Sequence, residues 1–169
     1  MNISEFDDAY EDQQRIRGAI IATPISDLPL RDAVQVDATS TVADAVHAMN
    51  ENHTGCMLVQ KAGKLVGIFT ERDVLTKVFF REDSRTVTVE AVMTRSPETL
   101  EADESIAFAL NKMSVGGYRH IPIVEHGGKP VGVLSVRDIV DFLVDLFPED
   151  VLNLPPSLDN AIARSRDGG

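Results

Sequence analysis

Apolar residues recur at helical spacing in two separate stretches of the chain. In each stretch four of them occupy positions i, i+3, i+4 and i+7, which together form one face of an α-helix. They are Val42, Ala45, Val46 and Met49 in the first stretch and Ile106, Ala109, Leu110 and Met113 in the second. Thr41 and Ser105 precede the two faces, and both residue types are favoured at helix N-caps. The pattern therefore predicts two equivalent amphipathic helices.

Two β-prone apolar runs follow each predicted helix, and a short turn sequence, KAG or HGG, separates them. The runs span 56–60 and 64–70 in the first copy and 120–125 and 129–135 in the second. Each pair predicts a β-hairpin. A second helix is predicted after each hairpin, at about 71–80 and 136–147, and an irregular or short-strand lead-in before each first helix, around 34–39 and 97–103.

A seven-residue motif occurs twice, as GIFTERD at 67–73 and as GVLSVRD at 132–138. Each copy begins with glycine, continues to a hydroxyl residue and ends in Arg-Asp. The matching positions lie 65 residues apart, and the windows 63–73 and 128–138 share six identical residues. Such agreement indicates that an α-β-β-α unit is duplicated. Because one such unit cannot bury its own apolar faces, we expect the two units to cover each other.

The hydroxyl and the aspartate of this motif allow two interpretations. Thr70 with Asp73, and Ser135 with Asp138, have the spacing of a helix-capping box, which is a purely structural role. The aspartate also offers two oxygens that can accept both hydroxyls of a cis-diol, and a helix N-terminus with a neighbouring arginine favours a phosphate. The second interpretation describes a ribonucleotide site, and the residues leave both open.

The two motifs, together with YRHIPIVE at 118–125, resemble the CBS-domain tandem, also called a Bateman module. The resemblance covers approximately residues 25–146. It implies an α+β fold in which two tandem αββα CBS repeats pack as a pseudo-two-fold pair. The chain then divides into an acidic N-terminal segment (1–24), a first repeat (25–80), a linker (81–96), a second repeat (97–147) and a C-terminal tail (148–169).

The resemblance implies binding of an adenosine-type ligand, such as AMP, ADP, ATP or S-adenosylmethionine, in two clefts between the repeats. The family's ribose contacts correspond to Thr70, Asp73, Ser135 and Asp138, and the motif arginines Arg72 and Arg137 are adjacent to them. The family's phosphate contacts correspond to Arg119 and His120, which are expected in the cleft of Asp138. Its adenine contacts correspond by position to Thr39, Thr41, Met57 and Leu58 in one cleft and to 101–105, Ile121 and Pro122 in the other.

The first copy departs from the family pattern at the phosphate position. It has HTGCM where the second copy has YRHIP, and so lacks both the arginine and the proline. The phosphate side of this copy is then neutral unless His53 or Arg72 serves. We therefore expect one good cleft, with Asp138, and a second cleft that is weaker or prefers a less charged ligand.

Charge and composition narrow the choice of partners and compartment. The 169 residues carry a formal net charge of −11, which repels nucleic acids and anionic membranes. No stretch is long and apolar enough to span a bilayer, and the N-terminus is acidic where an export signal would be basic. The single cysteine, Cys56, excludes an internal disulfide framework, and its apolar setting favours a buried thiol. A cytoplasmic protein is expected.

Catalysis and metal binding are not expected. The sequence contains no G-x-S-x-G, no Walker lysine loop and no Cys/His pair, and its four histidines lack metal-ligand spacing. Two functions remain open. One is a sensor that binds an adenosine ligand and signals to a regulated partner protein, and the other is a structural dimerisation module with empty or degenerate clefts.

Both functions include self-association. The two closing helices carry more apolar residues than one core face needs, and this surplus predicts a homodimer surface. The residues concerned are Leu75, Val78, Phe79, Phe80, Ile139, Val140, Leu143 and Phe147. A further helix is predicted near 9–21 in the N-terminal segment.

Overall fold

The computed structural model of the chain describes residues 14–83 and 85–146. Residues 14–22 are helical (α1), which confirms the helix predicted near 9–21 over the part that is described. The predicted tail, 148–169, and Phe147 lie outside the described residues.

The first repeat has the predicted order of helix, strand, strand and helix. Its elements are β1 (Gln35–Asp37), α2 (Val42–Glu51), β2 (Cys56–Lys61), β3 (Lys64–Thr70) and α3 (Glu71–Asp73), the last continued by a π-helical stretch, Val74–Val78. Thr41 caps α2 as predicted, because the Asp44 backbone N–H donates to its hydroxyl at 3.1 Å. The closing helix differs from the single α-helix predicted at 71–80, since it changes to π geometry after its first turn.

The second repeat follows the same order, with two short elements before it. The elements are α4 (Val89–Val92), β4 (Thr94–Arg95), β5 (Leu100–Glu101), α5 (Ile106–Gly116), β6 (His120–Val124), β7 (Pro130–Ser135) and α6 (Val136–Leu146). Ser105 caps α5 as predicted, with the Phe108 N–H at 3.4 Å from its hydroxyl. The chain therefore has the expected α+β fold.

The strands form two sheets of matching topology. The first sheet has the order β1-β2-β3-β4 and the second the order β5-β6-β7. In each sheet the lead-in strand is parallel to the first hairpin strand, and the hairpin is antiparallel. Leu58 faces Ile68 in the first hairpin, and Pro122 faces Val133 at the equivalent place in the second. The two repeats are thus related as a pseudo-two-fold pair.

The segment that comes before the lead-in strand of each repeat, called here the exchanged lead-in, packs on the other repeat. The segment assigned to a linker, 81–96, contains α4 and β4, and its Val89, Val92 and Met93 lie in the core of the first repeat. Ile25 and Leu28, at the start of the first repeat and before β1, lie in the core of the second. Sequence analysis did not predict elements in 81–96, because so short a run of apolar residues shows no helical or strand period.

The repeated motif glycine marks the point where a lead-in crosses a hairpin strand. A Cβ atom at Gly67 would lie 2.3 Å from Met93 Sδ and 3.0 Å from the Thr94 carbonyl oxygen. A Cβ atom at Gly132 would lie 3.3 Å from the Arg31 carbonyl oxygen. The edge pairings agree, since Thr94 pairs with Ile68 and Arg31 bridges to Val133. Glycine at this motif position therefore permits the close approach of the exchanged lead-ins.

A small apolar cluster joins the two repeats. It consists of Cys56, Leu58, Ile68 and Val133, with Ala33 and Leu65 packed against it. Burial raises the pKa of the Cys56 thiol to about 11, so the thiol is protonated at neutral pH. This confirms the buried thiol expected from the sequence. The clefts described next open beside this cluster, where the helix starts of the two repeats approach each other.

Candidate ligand-binding clefts

Two cavities lie between the repeats, one at each repeated motif. The first, of about 320 Å³, is lined by Thr70 and Asp73 and is called here the Asp73 cavity. The second, of about 420 Å³, is lined by Ser135 and Asp138 and is called the Asp138 cavity. Both volumes fall within the size range of small-molecule sites, which is roughly 300–1,000 Å³. The structure thus brings both predicted hydroxyl and aspartate pairs to cavities.

Asp73 forms a complete capping box at the start of α3. Its Oδ2 atom accepts hydrogen bonds from the Thr70 backbone N–H at 2.9 Å and from the Thr70 hydroxyl at 2.8 Å. The Asp73 N–H in turn lies 3.3 Å from that hydroxyl oxygen. Asp73 is only 5% exposed, so these bonds hold a carboxylate that is largely removed from water.

Asp138 repeats this arrangement at the start of α6. Its Oδ2 atom accepts from the Ser135 N–H at 2.8 Å and from the Ser135 hydroxyl at 2.7 Å. The Asp138 N–H lies 3.2 Å from the same hydroxyl, and Asp138 is also 5% exposed. The capping interpretation of the motif is therefore confirmed at the level of hydrogen bonds in both repeats.

The second oxygen of each aspartate faces a basic side chain. Lys77 Nζ lies 2.6 Å from Asp73 Oδ1, and Arg31 Nε lies 3.3 Å from Asp138 Oδ1. Since Oδ2 already accepts two hydrogen bonds, a ligand hydroxyl has access to Oδ1 and must share it with that cation. This differs from the expectation that both oxygens of the aspartate are available to a diol.

The two motif arginines do not play equivalent roles. Arg72 Nη1 donates to the Gly117 carbonyl oxygen at 2.9 Å, which ties the first repeat to the C-terminal end of α5. Arg137 Nε lies 3.7 Å from Asp141 Oδ2 on its own helix. Both line a cavity, Arg72 the Asp73 cavity and Arg137 the Asp138 cavity.

Arg119 and His120 line both cavities. The family resemblance predicts them in the cleft of Asp138, and in the structure they also line the Asp73 cavity. Within the described residues the Arg119 guanidinium has no hydrogen bond or ion pair. Burial, and then the charge of Arg119, lower the pKa of His120 below its ordinary 6.5, against the opposing effect of nearby carboxylates. The imidazole is therefore neutral at physiological pH.

The residues predicted to contact adenine, which are the segment 101–105 and six others, do not line either cavity. Thr39 donates to Asp37, and Thr41 caps α2. The other four are buried in strands, where they pack within the sheets. These are Met57, Leu58, Ile121 and Pro122.

The exchange of lead-ins brings other segments to the walls of the two cavities. Thr94, Ser96 and Pro97 line the Asp73 cavity, and the segment 31–34 lines the Asp138 cavity. The sequence pattern predicts neither segment as part of a site. Neither carries a periodic pattern, and their place follows only from the strand pairings at Ile68 and Val133.

Two further observations bear on the function class. Over residues 14–83 and 85–146, no three His, Cys, Asp or Glu side chains are arranged to hold a metal ion. In the same part of the chain, no helix has both the length and the hydropathy needed to cross a membrane.

Comparison with known proteins identifies the family. The model of the CBS domain family matches residues 25–79 and 89–145. An uncharacterised 17.7 kDa protein of Acidianus ambivalens is 33% identical over 128 residues, which cover 75% of this chain and 76% of that protein.

Solved structures with the same fold include a CBS-domain containing protein, ATU1752, from Agrobacterium tumefaciens. Its TM-score is 0.67 at 28% identity, with 72% of this chain and 99% of that chain covered. The CBS domain pair of protein MJ0100, in complex with 5′-methylthioadenosine and S-adenosyl-L-methionine, has a TM-score of 0.65 at 23% identity, covering 72% and 96%. CBSX2 in complex with AMP has a TM-score of 0.61 at 21% identity, covering 73% and 97%. The chain belongs to the CBS domain family and folds as a tandem pair of CBS repeats.

Proposed function

We propose that this CBS pair is a regulatory module that binds an adenosine-type ligand and passes its occupancy to a partner protein. The observation that carries the proposal is the pair of buried aspartates, Asp73 and Asp138. Each lines a cavity between the repeats and keeps one oxygen, Oδ1, outside the capping hydrogen bonds. A ribose hydroxyl is a suitable donor to such an oxygen.

The charges around the cavities support a ligand that carries a phosphate. Arg119 lines both cavities and, in the described residues, has no partner for its guanidinium. An unpaired arginine that lines a cavity is suited to bidentate hydrogen bonds with phosphate oxygens. The related CBS pairs in complex with AMP, S-adenosyl-L-methionine and 5′-methylthioadenosine support an adenosine moiety as the common feature of the ligand.

Calorimetric titration of the full chain with AMP and with 2′-deoxy-AMP tests the ribose contact. We expect the deoxy form to bind more weakly by about 1.5–3 kcal/mol, because a hydrogen bond to a charged oxygen is lost. Asp73→Asn and Asp138→Asn should each reduce AMP affinity at their own cavity, whereas Asp145→Asn, at an exposed position of α6 that lines neither cavity, serves as a matched control. Equal affinities for the ribose and deoxyribose forms would contradict the proposal.

One observation favours the second candidate function, a structural module with empty clefts. Both Oδ1 atoms already have a cationic partner, so the two aspartates are satisfied without a ligand. In that case Ser135→Ala, which removes the N-cap hydroxyl of α6, lowers the free energy of unfolding of the unliganded protein by about 0.5–2 kcal/mol, and no adenosine compound binds. The titration above separates the two candidates.

We also propose that the chain forms a homodimer through its closing helices and acts in the cytoplasm. Leu75, Phe79, Phe80 and Val140 are 65%, 69%, 88% and 48% exposed, while Val78 and Ile139 of the same helices are buried. The rings of Phe79 and Phe80 are in contact, with centroids 5.0 Å apart, and we infer that a second copy covers these exposed apolar residues.

Light scattering at micromolar concentration tests the dimer, which should have twice the chain mass of 18.5 kDa. Replacing Phe79 and Phe80 by Ser should shift the protein to monomer. Val115→Ser is the matched control, since Val115 is 81% exposed but lies on α5. A monomer mass for the unaltered chain would disprove the dimer.

A further inference from the structure

The two cavities share one wall. Four residues line both of them, namely Gly55, Glu71, Arg119 and His120, and they are called here the shared wall. The main chain places this wall between the two helix starts, because the Glu71 N–H donates to the Gly55 carbonyl and the Val136 N–H to the Arg119 carbonyl, each at 3.0 Å. Gly55 and Arg119 are therefore equivalent residues of the two repeats.

The shared wall contains a single available cation. The first repeat contributes glycine where the second contributes Arg119, and His120 is neutral at physiological pH. The other arginines that line the cavities already have partners: Arg72 the Gly117 carbonyl, Arg31 the Asp138 carboxylate and Arg137 the Asp141 carboxylate. One unpaired guanidinium thus borders two cavities of similar size.

The shared wall also contains one carboxylate, that of Glu71, which repels anionic ligands. Glu71 lines both cavities, and its side chain has no hydrogen bond or ion pair among the described residues. A phosphate in either cavity gains from Arg119 and is repelled by Glu71. A second phosphate in the other cavity would find Arg119 already engaged, and would be repelled by both Glu71 and the first phosphate.

We propose that Arg119 is a specificity-determining residue that both cavities share, so that the chain holds one phosphate-bearing adenosine ligand at full affinity. The remaining cavity then takes an adenosine ligand whose 5′ group is uncharged or cationic. This inference rests on the proposed function, since it concerns the ligands of the same cavities.

Calorimetry with AMP and adenosine tests the inference on the full chain. Asp73→Asn should weaken AMP binding in the Asp73 cavity, and Asp138→Asn in the Asp138 cavity. Each variant therefore reports the intrinsic AMP affinity of the cavity that it leaves unaltered. In the unaltered chain the second AMP should bind at least about 10-fold more weakly than its intrinsic affinity. With one equivalent of AMP bound, adenosine should instead fill the remaining cavity within about two-fold of its affinity for the free chain.

Arg119→Ala should remove the preference for AMP over adenosine in both cavities, and should reduce the difference between the two AMP binding steps to the part that comes from repulsion between the two phosphates. Arg85→Ala is the control, because Arg85 is exposed and lines neither cavity, yet its removal changes the net charge equally. Two AMP molecules that bind at their intrinsic affinities, or an AMP preference that survives in Arg119→Ala, would overturn the inference alone. Failure of both AMP and adenosine to bind would overturn the proposed function, and the inference with it.

Discussion

The two cavities begin from the same local structure and differ in the residues that complete it. In both, a hydroxyl residue and an aspartate form the helix start, and Oδ2 of the aspartate accepts two hydrogen bonds. Oδ1 of Asp73 pairs with Lys77, four residues further along the same helical segment. Oδ1 of Asp138 pairs with Arg31, from the lead-in that crosses β7. Duplication preserved the local bonds, whereas each counter-ion comes from a different part of the chain.

Because the two counter-ions differ, a ligand disturbs a different contact in each cavity. A ribose hydroxyl that binds Asp73 Oδ1 competes with a contact inside one helical segment. A ribose hydroxyl that binds Asp138 Oδ1 competes with a contact between the second repeat and the lead-in of the first. Under the proposed function, the Asp138 cavity is therefore the one whose occupancy acts directly on the packing between repeats.

The largest change in stability is expected at the two crossing points, Gly67 and Gly132. Gly67→Ala should lower the free energy of unfolding by about 1–3 kcal/mol, because the new Cβ overlaps Met93 Sδ and approaches the Thr94 carbonyl. Gly132→Ala should cost less than about 1 kcal/mol, since its nearest neighbour, the Arg31 carbonyl oxygen, lies 3.3 Å away. Urea unfolding of both variants measures the two losses.

A double-mutant cycle identifies the cause of the Gly67→Ala loss. If the clash with Met93 is responsible, Met93→Ala should cost less in the Gly67→Ala background than in the unaltered chain. Equal losses at Gly67 and Gly132 would contradict this expectation, since they would show that the two lead-ins approach their strands equally closely.

The features that the sequence predicted are those that depend on neighbouring residues. The helix faces, the hairpins and the pairing of Thr70 with Asp73 follow from spacings of a few residues, and the 65-residue repeat transfers each of them to the second copy. The family resemblance added the location of the clefts, and the structure brings the motif residues and Arg119 to cavities.

The features that the sequence did not predict depend on tertiary contacts. Nothing in the pattern around Arg31 indicates that it meets Asp138, because that contact requires the lead-in to cross to the other repeat. The same exchange brings Ser96 and Pro97, rather than Thr39 and Thr41, to a cavity. Assignment by position within one repeat therefore cannot identify the cavity-lining residues that the other repeat contributes.

A smaller change in stability is expected when either counter-ion, Lys77 or Arg31, is removed. Lys77→Ala should lower the free energy of unfolding by about 1–2 kcal/mol, because it leaves the buried Asp73 carboxylate without its 2.6 Å partner. Arg31→Ala should cost about 0.2–1 kcal/mol, since Arg31 is more exposed and its contact with Asp138 is longer, at 3.3 Å.

Urea unfolding at low and high salt measures both losses, with Lys64→Ala as a control for an exposed lysine. High salt should reduce the cost of Arg31→Ala more than that of Lys77→Ala, because the more exposed pair is screened more strongly. A larger cost for Arg31→Ala than for Lys77→Ala would reverse the comparison and make the contact between repeats the stronger of the two.

The smallest effect is expected on the pH dependence of stability, and it distinguishes His120 from Cys56. The two residues occupy equivalent positions at the starts of β2 and β6. Burial and the charge of Arg119 lower the pKa of His120 below 6.5, while the carboxylates of Asp138 and Glu71 oppose the shift. The unfolded chain therefore takes up a proton on this histidine more readily than the folded chain. The contribution of His120 to stability is fully present above pH 6.5 and is lost as the pH falls toward its folded pKa.

Replacing His120 by Gln should accordingly reduce the loss of stability between about pH 7.5 and about pH 5.5, because the side chain no longer titrates. Cys56→Ala is the matched control: the thiol has a pKa of about 11, so its removal changes stability by the same amount at both pH values. The measurement is the difference between urea unfolding free energies at the two pH values, compared between each variant and the unaltered chain. An unchanged pH dependence in His120→Gln would show that His120 does not contribute to the loss of stability in acid, and would contradict the expected lowering of its pKa.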